Sequence, residues 1–138
     1  MFKLNALVPE LIVSDLQQSL YFYCGVLGFR VEYDRPEDKF AFLSFGNSQI
    51  MLEQDWHDDS PWRVGPLEPP YGRGMNLSIE CPDAFALVCA LEKAGCAIRR
   101  SVEEHWYRSN DRQFGQRNFL VLDPDGYLLR FAEDIGVK

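Results

Sequence analysis

A chain of 138 residues, 46% of them hydrophobic, is long enough to bury one core and too short for two independent domains of ordinary size, so a single domain is expected. No run of about eighteen apolar residues occurs, and Met1 to Asn5 carry neither a basic segment nor an apolar stretch with a cleavage site, which argues against membrane insertion or export and points to the cytoplasm. The formal charge of −7, from 21 acidic against 14 basic residues, argues against nucleic acid as a partner, because phosphate binding requires clustered Lys and Arg.

Residues 4–13 read as a strand. Ser14 and Asp15 then offer a helix N-cap, and Leu16, Leu20, Tyr23 and Leu27 follow at helical spacing until Gly28 closes the helix. Three short strands are expected at about 29–34, 39–46 and 49–54, the last two joined by a turn at Gly46 to Ser48. The first half is thus βαβββ, a module covering about residues 1–55. Residues 56–74 hold four prolines (Pro61, Pro66, Pro69, Pro70) and read as a linker or a long binding loop. Strand character returns at Met75 to Glu80. Pro82 and Asp83 start a second helix with an apolar stripe of Leu87, Val88, Leu91 and Ala94, and Gly95 stops it. Strands near 97–103, 117–122 and 127–133 complete a second βαβββ module over about 75–138, with Asp123 to Gly126 as the last turn. Cys24, Cys81, Cys89 and Cys96 contain no C-x-x-C pair and read as buried or half-buried free thiols.

The order strand, capped helix, glycine stop and terminal hairpin occurs twice. Laying Phe42 to Glu53 on Phe119 to Arg130 without a gap makes the two terminal strands equivalent. Strand alternation then sends Ile50, Leu52, Leu129 and Phe131 to the helix-covered face, and Met51, Glu53, Leu128 and Arg130 into a cup lined by both sheets. The fold class expected is α+β, two βαβββ modules forming a cup-shaped mixed sheet.

Leu11 to Asp15 leading into Ser19 to Tyr23, then Val26 to Phe29, Met51 to Glu53, and Leu122 to Phe131 together resemble the glyoxalase, bleomycin-resistance and extradiol-dioxygenase superfamily, the vicinal-oxygen-chelate proteins. The resemblance covers nearly the whole chain and implies a ligand site on the concave sheet face, with chemistry that the fold leaves open. Metal-using relatives carry His, Gln or Glu at four places, which by count from the shared motifs fall here at Val8, Glu53, Gly74 and Arg130. Only Glu53 could hold a metal, and Arg130 puts a permanent cation where a divalent ion wants an anion, so no metal and no cofactor are expected. By module symmetry Glu53 and Arg130 face one another, as an ion pair or as holders of opposite ends of a ligand. An unpaired buried Arg would cost roughly 3–5 kcal/mol.

Trp56, Trp62 and Trp106 fall in predicted loops or loop edges with Tyr71, Tyr107 and Phe114 nearby, and such aromatics need a cover, either a second subunit or a flat ligand. The chain is similar to the bleomycin-resistance branch in size, acidic balance, the Arg at the last ligand position and a Trp-bearing loop. That resemblance implies a homodimer that sequesters a bulky cationic aromatic molecule without altering it, acid supplying attraction and aromatics supplying stacking. The ligand-binding residues expected are Glu53, Arg130, Phe40, Phe42, Trp56, Trp62, Asn76, Trp106, Phe114 and Phe119, with Glu10, Asp55 and Glu80 as further acids and no catalytic residue. Arg108, Arg112, Arg117 and Arg130 could instead select a carboxylate or phosphate, or, Arg130 aside, could pair on the surface with Glu103, Glu104 and Asp111. His57, Asp58 and Asp59 invite a metal reading, but consecutive loop residues seldom converge on one ion. The rival from another class is a metal-dependent lyase, isomerase or dioxygenase that uses Glu53.

Overall fold

The computed structural model describes residues 2–56 and 60–138, so His57, Asp58 and Asp59 lie outside the described residues. The chain divides into two compact units, Met1–Tyr71 and Gly72–Lys138, each a βαβββ module of α+β type. The first unit consists of β1 (Glu10–Val13), α1 (Leu16–Leu20), β2 (Arg30–Arg35), β3 (Phe40–Phe45) and β4 (Ser48–Gln54), with sheet order β1-β4-β3-β2. The second consists of β5 (Asn76–Glu80), α2 (Ala84–Lys93), β6 (Ile98–Ser109), β7 (Arg112–Leu122) and β8 (Leu128–Val137), with order β5-β8-β7-β6. In both, the first strand runs parallel to the last and the remaining neighbours are antiparallel. Among the described residues no helix is long and apolar enough to cross a membrane.

The punctuation read from the sequence has its structural cause in each case. Asp15 accepts hydrogen bonds from the backbone N–H groups of Gln17 and Gln18 (3.0 and 3.2 Å), and Asp83 accepts one from Ala86 (3.1 Å), so both helices begin on a carboxylate cap. Gly28 stands at φ 90°, in the left-handed region that ends a helix. Asp123, 4% exposed, folds the last turn by accepting from the N–H groups of Asp125 and Tyr127, both at 2.9 Å.

Three elements differ from the expectation. The first strand begins at Glu10 rather than near residue 4, because Pro9 has no N–H to donate and the segment before it is held instead by side chains. Gln49 Oε1 accepts from the Asn5 N–H at 2.8 Å, and Asn5 Nδ2 donates to the Asn47 carbonyl at 2.8 Å. The first helix changes to a π-helical stretch over Tyr21–Val26. The largest difference is β6 and β7, which run on through residues expected in a loop and close on a two-residue turn at Asn110 and Asp111, with Asn110 at φ 57°. Both faces of this ribbon carry polar side chains, so it lacks the apolar alternation that marks a half-buried strand.

Each helix covers one face of its sheet. In the first unit that face carries Leu11, Val13, Ala41, Leu43, Ile50 and Leu52, all buried, and an edge contact from Tyr23 to Phe29 (5.2 Å) followed by a stack of Phe29 on Phe45 (4.8 Å) joins helix to strand. In the second, Ile79, Phe119, Val121, Leu129 and Phe131 are buried with Ala84, Leu87 and Leu91 of α2.

One consequence overturns the gapless overlay of the two modules. Phe40 is opposite Glu53 and Phe42 opposite Met51, so both share the Glu53 face. Arg130 is opposite Leu120, whereas Phe119 is opposite Phe131 on the other face. The β3–β4 turn closes between Phe45 and Ser48, while β7 and β8 close between Leu122 and Leu128, and this odd difference in turn length reverses which side chains of β7 face which way.

Candidate functional site

The helix-free face of the first unit gathers one set of residues through its register. Glu10 and Ile12 of β1 lie beside Met51 and Glu53 of β4, which oppose Phe42 and Phe40 of β3, which in turn oppose Tyr33 and Arg35 of β2. Tyr33 stacks on Phe42 with ring centroids 5.2 Å apart and planes inclined by 15°, and Phe2 adds a third ring 5.1 Å from Phe42. The Arg35 guanidinium lies 4.0 Å from the Phe40 ring centroid.

Glu53 is the buried acid of this face, 6% exposed. Burial raises its pKa above the ordinary carboxylate range, and the Asp38 charge raises it further. Hydrogen bonds from the Trp62 and Trp56 side chains and the charge of Arg35 oppose this. Glu10 is raised as well, first by burial and then by the Glu53 charge. The loop after β4 is fastened where it must deliver Trp62. The Asp55 N–H donates to the Val13 carbonyl at 2.9 Å, and Arg63 donates to both Asp55 oxygens, through Nε at 3.0 Å and through a second guanidinium nitrogen. Asp55 is thus spent on holding the loop. Trp56 and Trp62 remain 52% and 55% exposed, so each indole meets the acid by its N–H and leaves much of its ring open to solvent.

On the second unit the corresponding face carries Ser78, Leu120, Asn118, Gln116 and Arg130, with Asn76 exposed at the start of β5. Here lies a pocket of about 380 Å³ lined by Ser78, Glu80, Phe114, Gln116 and Asp134 among others, two carboxylates beside one ring. Asn118 Nδ2 donates to the Tyr107 hydroxyl at 3.1 Å and to Gln116 Oε1 at 3.4 Å. Arg130 Nε is buried and has no hydrogen-bond partner among the described residues. Glu53 and Arg130 take matching places, each on the last strand of its unit and on the helix-free face.

Two expected residues stand elsewhere. Phe119 is fully buried and stacked 5.4 Å from Phe131 in the core of its unit, so the turn-length difference removes it from the ligand face. Trp106 is in a strand rather than a loop and lies on the opposite side of β6 from His105 and Tyr107. There it faces Gly115, its indole N–H donates to Glu104 at 3.0 Å, and the Lys138 ammonium lies 4.1 Å from its ring. Arg117 meets Glu133 at 3.1 Å, and the other Glu133 oxygen accepts from the Ala84 N–H at 2.9 Å, so this arginine supports the start of α2 instead of waiting for an anion. Tyr33 and Arg35 escaped the sequence reading, because a register shift between Val31, opposite Leu43, and Tyr33, opposite Phe42, breaks the plain alternation along β2 and turns both residues onto the Glu53 face.

At the four places where the family resemblance implies metal ligands, the residues present do not fit a metal. Of the four positions at which relatives carry ligands, Val8 has no donor, Gly74 stands at φ 95°, where a ligating side chain would be strained, and Arg130 is cationic. Among the described residues no three His, Cys, Asp or Glu gather as a metal-holding group.

Comparison with known proteins agrees with the fold. The sequence model of the Glyoxalase/Bleomycin resistance protein/Dioxygenase superfamily matches residues 3–131. A bleomycin resistance protein of Geobacillus stearothermophilus is 30% identical over 135 residues, covering 93% of this chain and 96% of the relative. A lactoylglutathione lyase of Haemophilus influenzae is also 30% identical, over 132 residues, covering 91% and 90%. Among solved structures, TioX from Micromonospora sp. ML1 superposes with a TM-score of 0.72 at 18% identity, covering 95% of this chain and all 100% of that one, which is a likeness of fold. The chain therefore belongs to the glyoxalase/bleomycin resistance protein/dioxygenase superfamily.

Proposed function

We propose that this protein is a metal-independent binder of bleomycin-resistance type, a cytoplasmic homodimer that sequesters an aromatic cation without making or breaking a bond. The observation that carries the reading is Glu53: a carboxylate 6% exposed, met by two tryptophan side chains and set opposite a phenylalanine, on a face with two further stacked rings. Such a group is costly to ionise without a nearby cation, so a cationic guest gains attraction there in a setting of low polarity while the exposed rings of Trp56, Trp62 and Tyr33, rather than the buried Phe40 and Phe42, take its flat part. The 30% identity to bleomycin resistance proteins supports this reading. The similar identity to a lactoylglutathione lyase would favour a lyase, but a single usable ligand among four positions argues against it. The homodimer is supported by apolar side chains left open on the first unit, Leu7 at 80% and Val64 at 108% exposure, which a second copy would cover.

Tryptophan-fluorescence titration tests the reading with a panel of cationic and anionic aromatic compounds. Cationic members should bind and quench, and Glu53→Gln should weaken them by about 1–3 kcal/mol while leaving anionic controls unchanged. Because the Glu53 pKa is raised, binding of a permanent cation should fall on acidification at a pH above the ordinary carboxylate range. Equal affinity for cations and anions, or no loss in the Gln variant, would remove Glu53 from the site.

A further inference from the structure

Arg35 stands where a guest cation would be placed. Its guanidinium lies 4.0 Å from the Phe40 centroid and 5.9 Å from that of Tyr33, with Nε donating to Asp38 at 3.1 Å. Asp38 pairs with this guanidinium directly, and the Arg35 charge also acts on Glu10 and Glu53 of the same face, so the aromatic wall carries an excess of carboxylate around a single cation. Arg35 is also reachable from solvent. Its side chain is 46% exposed, Asp38 is 54% exposed, and the pair spans only three residues at the end of an edge strand. A guanidinium is planar, delocalised and poorly hydrated, which suits a ring face, whereas an ammonium is compact and strongly hydrated.

We propose that Arg35 is a resident stand-in for the ligand's cation: a planar, delocalised cation binds to the first unit by displacing the guanidinium from the Phe40 and Tyr33 faces, and the wall that holds Arg35 prefers guanidinium-like or ring-delocalised cations over ammonium ions. This rests on the sequestration reading for the natural guest, but the vacancy itself is testable without it. Once displaced, Arg35 swings outward with Asp38, both side chains being half exposed, and the net charge of the wall is restored by the guest.

The experiment compares wild type, Arg35→Ala and the double variant Arg35→Ala with Glu53→Gln, using methylguanidinium, methylammonium and ethidium as probes, read by thermal unfolding and tryptophan fluorescence. Methylguanidinium at millimolar concentration should raise the Tm of Arg35→Ala and not that of wild type or the double variant, and methylammonium should raise none of them. Ethidium should bind Arg35→Ala about tenfold more tightly than wild type, and methylguanidinium should compete with it only in the variant. Arg35→Gln, which keeps the chain length, serves in the same assays should the alanine variant unfold early. Methylguanidinium acting alike on wild type and variant overturns the proposal, and so does ethidium bound equally tightly by both. Ethidium bound by neither, with methylguanidinium still selective for the variant, supports the role of Arg35 and counts against sequestration of aromatic cations.

Discussion

Glu53 is buried at a cost to the fold. Its raised pKa means that the folded chain favours the protonated acid, while the unfolded chain ionises it at the ordinary value of 4.5. The stability that Glu53 and Glu10 contribute is therefore fully present below that value and is lost as pH rises through their higher folded values. Glu53→Gln imitates the protonated form and keeps the oxygen that accepts from a tryptophan. It should raise Tm at neutral pH by a few degrees, corresponding to about 1 kcal/mol, and should flatten the decline of stability above the carboxylate range. Thermal unfolding across a pH series measures both. A lower Tm in the variant would mean that the ionised carboxylate is a structural asset rather than a binding group. Cys81 shows the contrasting case of burial without a role: burial and neighbouring acids push its thiol up to about 11, which leaves it inert at neutral pH. Cys89 is exposed rather than buried or half-buried, so labelling should reach it before the half-buried Cys24 and Cys96.

At the scale of elements, the β6–β7 ribbon is built around one close approach. A Cβ on Gly115 would stand 2.6 Å from the Trp106 ring and 2.8 Å from Ile135, so glycine is what lets the indole lie flat on the neighbouring strand. Gly115→Ala should cost about 1–3 kcal/mol through overpacking. Trp106→Ala should also lower stability, through the lost ring contact with Gly115 and the uncovered Lys138 and Glu104, while leaving the affinity for a cationic aromatic unchanged. Denaturant titration of both variants, with one binding titration of the tryptophan variant, decides the matter: a binding loss without a stability loss would return Trp106 to the ligand wall. The same element shows why part of the site was hidden in the sequence. Residues 104–116 alternate between two polar faces, so neither periodicity nor composition distinguishes them from a loop, and only pairing with β8 reveals which side Tyr107 and Phe114 share.

At the scale of the molecule, the expected homodimer and the expected lack of metal are both open to direct measurement. Sedimentation equilibrium should give twice the chain mass, and replacing the open Leu7 and Val64 by serine should shift the distribution toward monomer. Elemental analysis of protein purified without chelator should find no stoichiometric zinc, nickel, manganese or iron, and chelator should leave Tm unchanged, since metal bound only to the folded state would raise it. A stoichiometric metal would move the function to the lyase or dioxygenase side of the superfamily.

What could be read from the residues alone was whatever depends on local rules: the duplicated βαβββ order, the aspartate caps, the glycine at the end of the first helix, and the pointing of Glu53 away from the face of Ile50 and Leu52, since alternation along one strand needs only correct counting. Tertiary structure decided what depends on pairing between strands. It put Phe119 in the core and Trp106 behind the ribbon, and it brought Arg35 of β2 onto Phe40 of β3. The physical reason is that a side chain's face follows from its own strand, whereas its neighbours follow from register, and register is set by turn lengths and bulges that composition does not reveal.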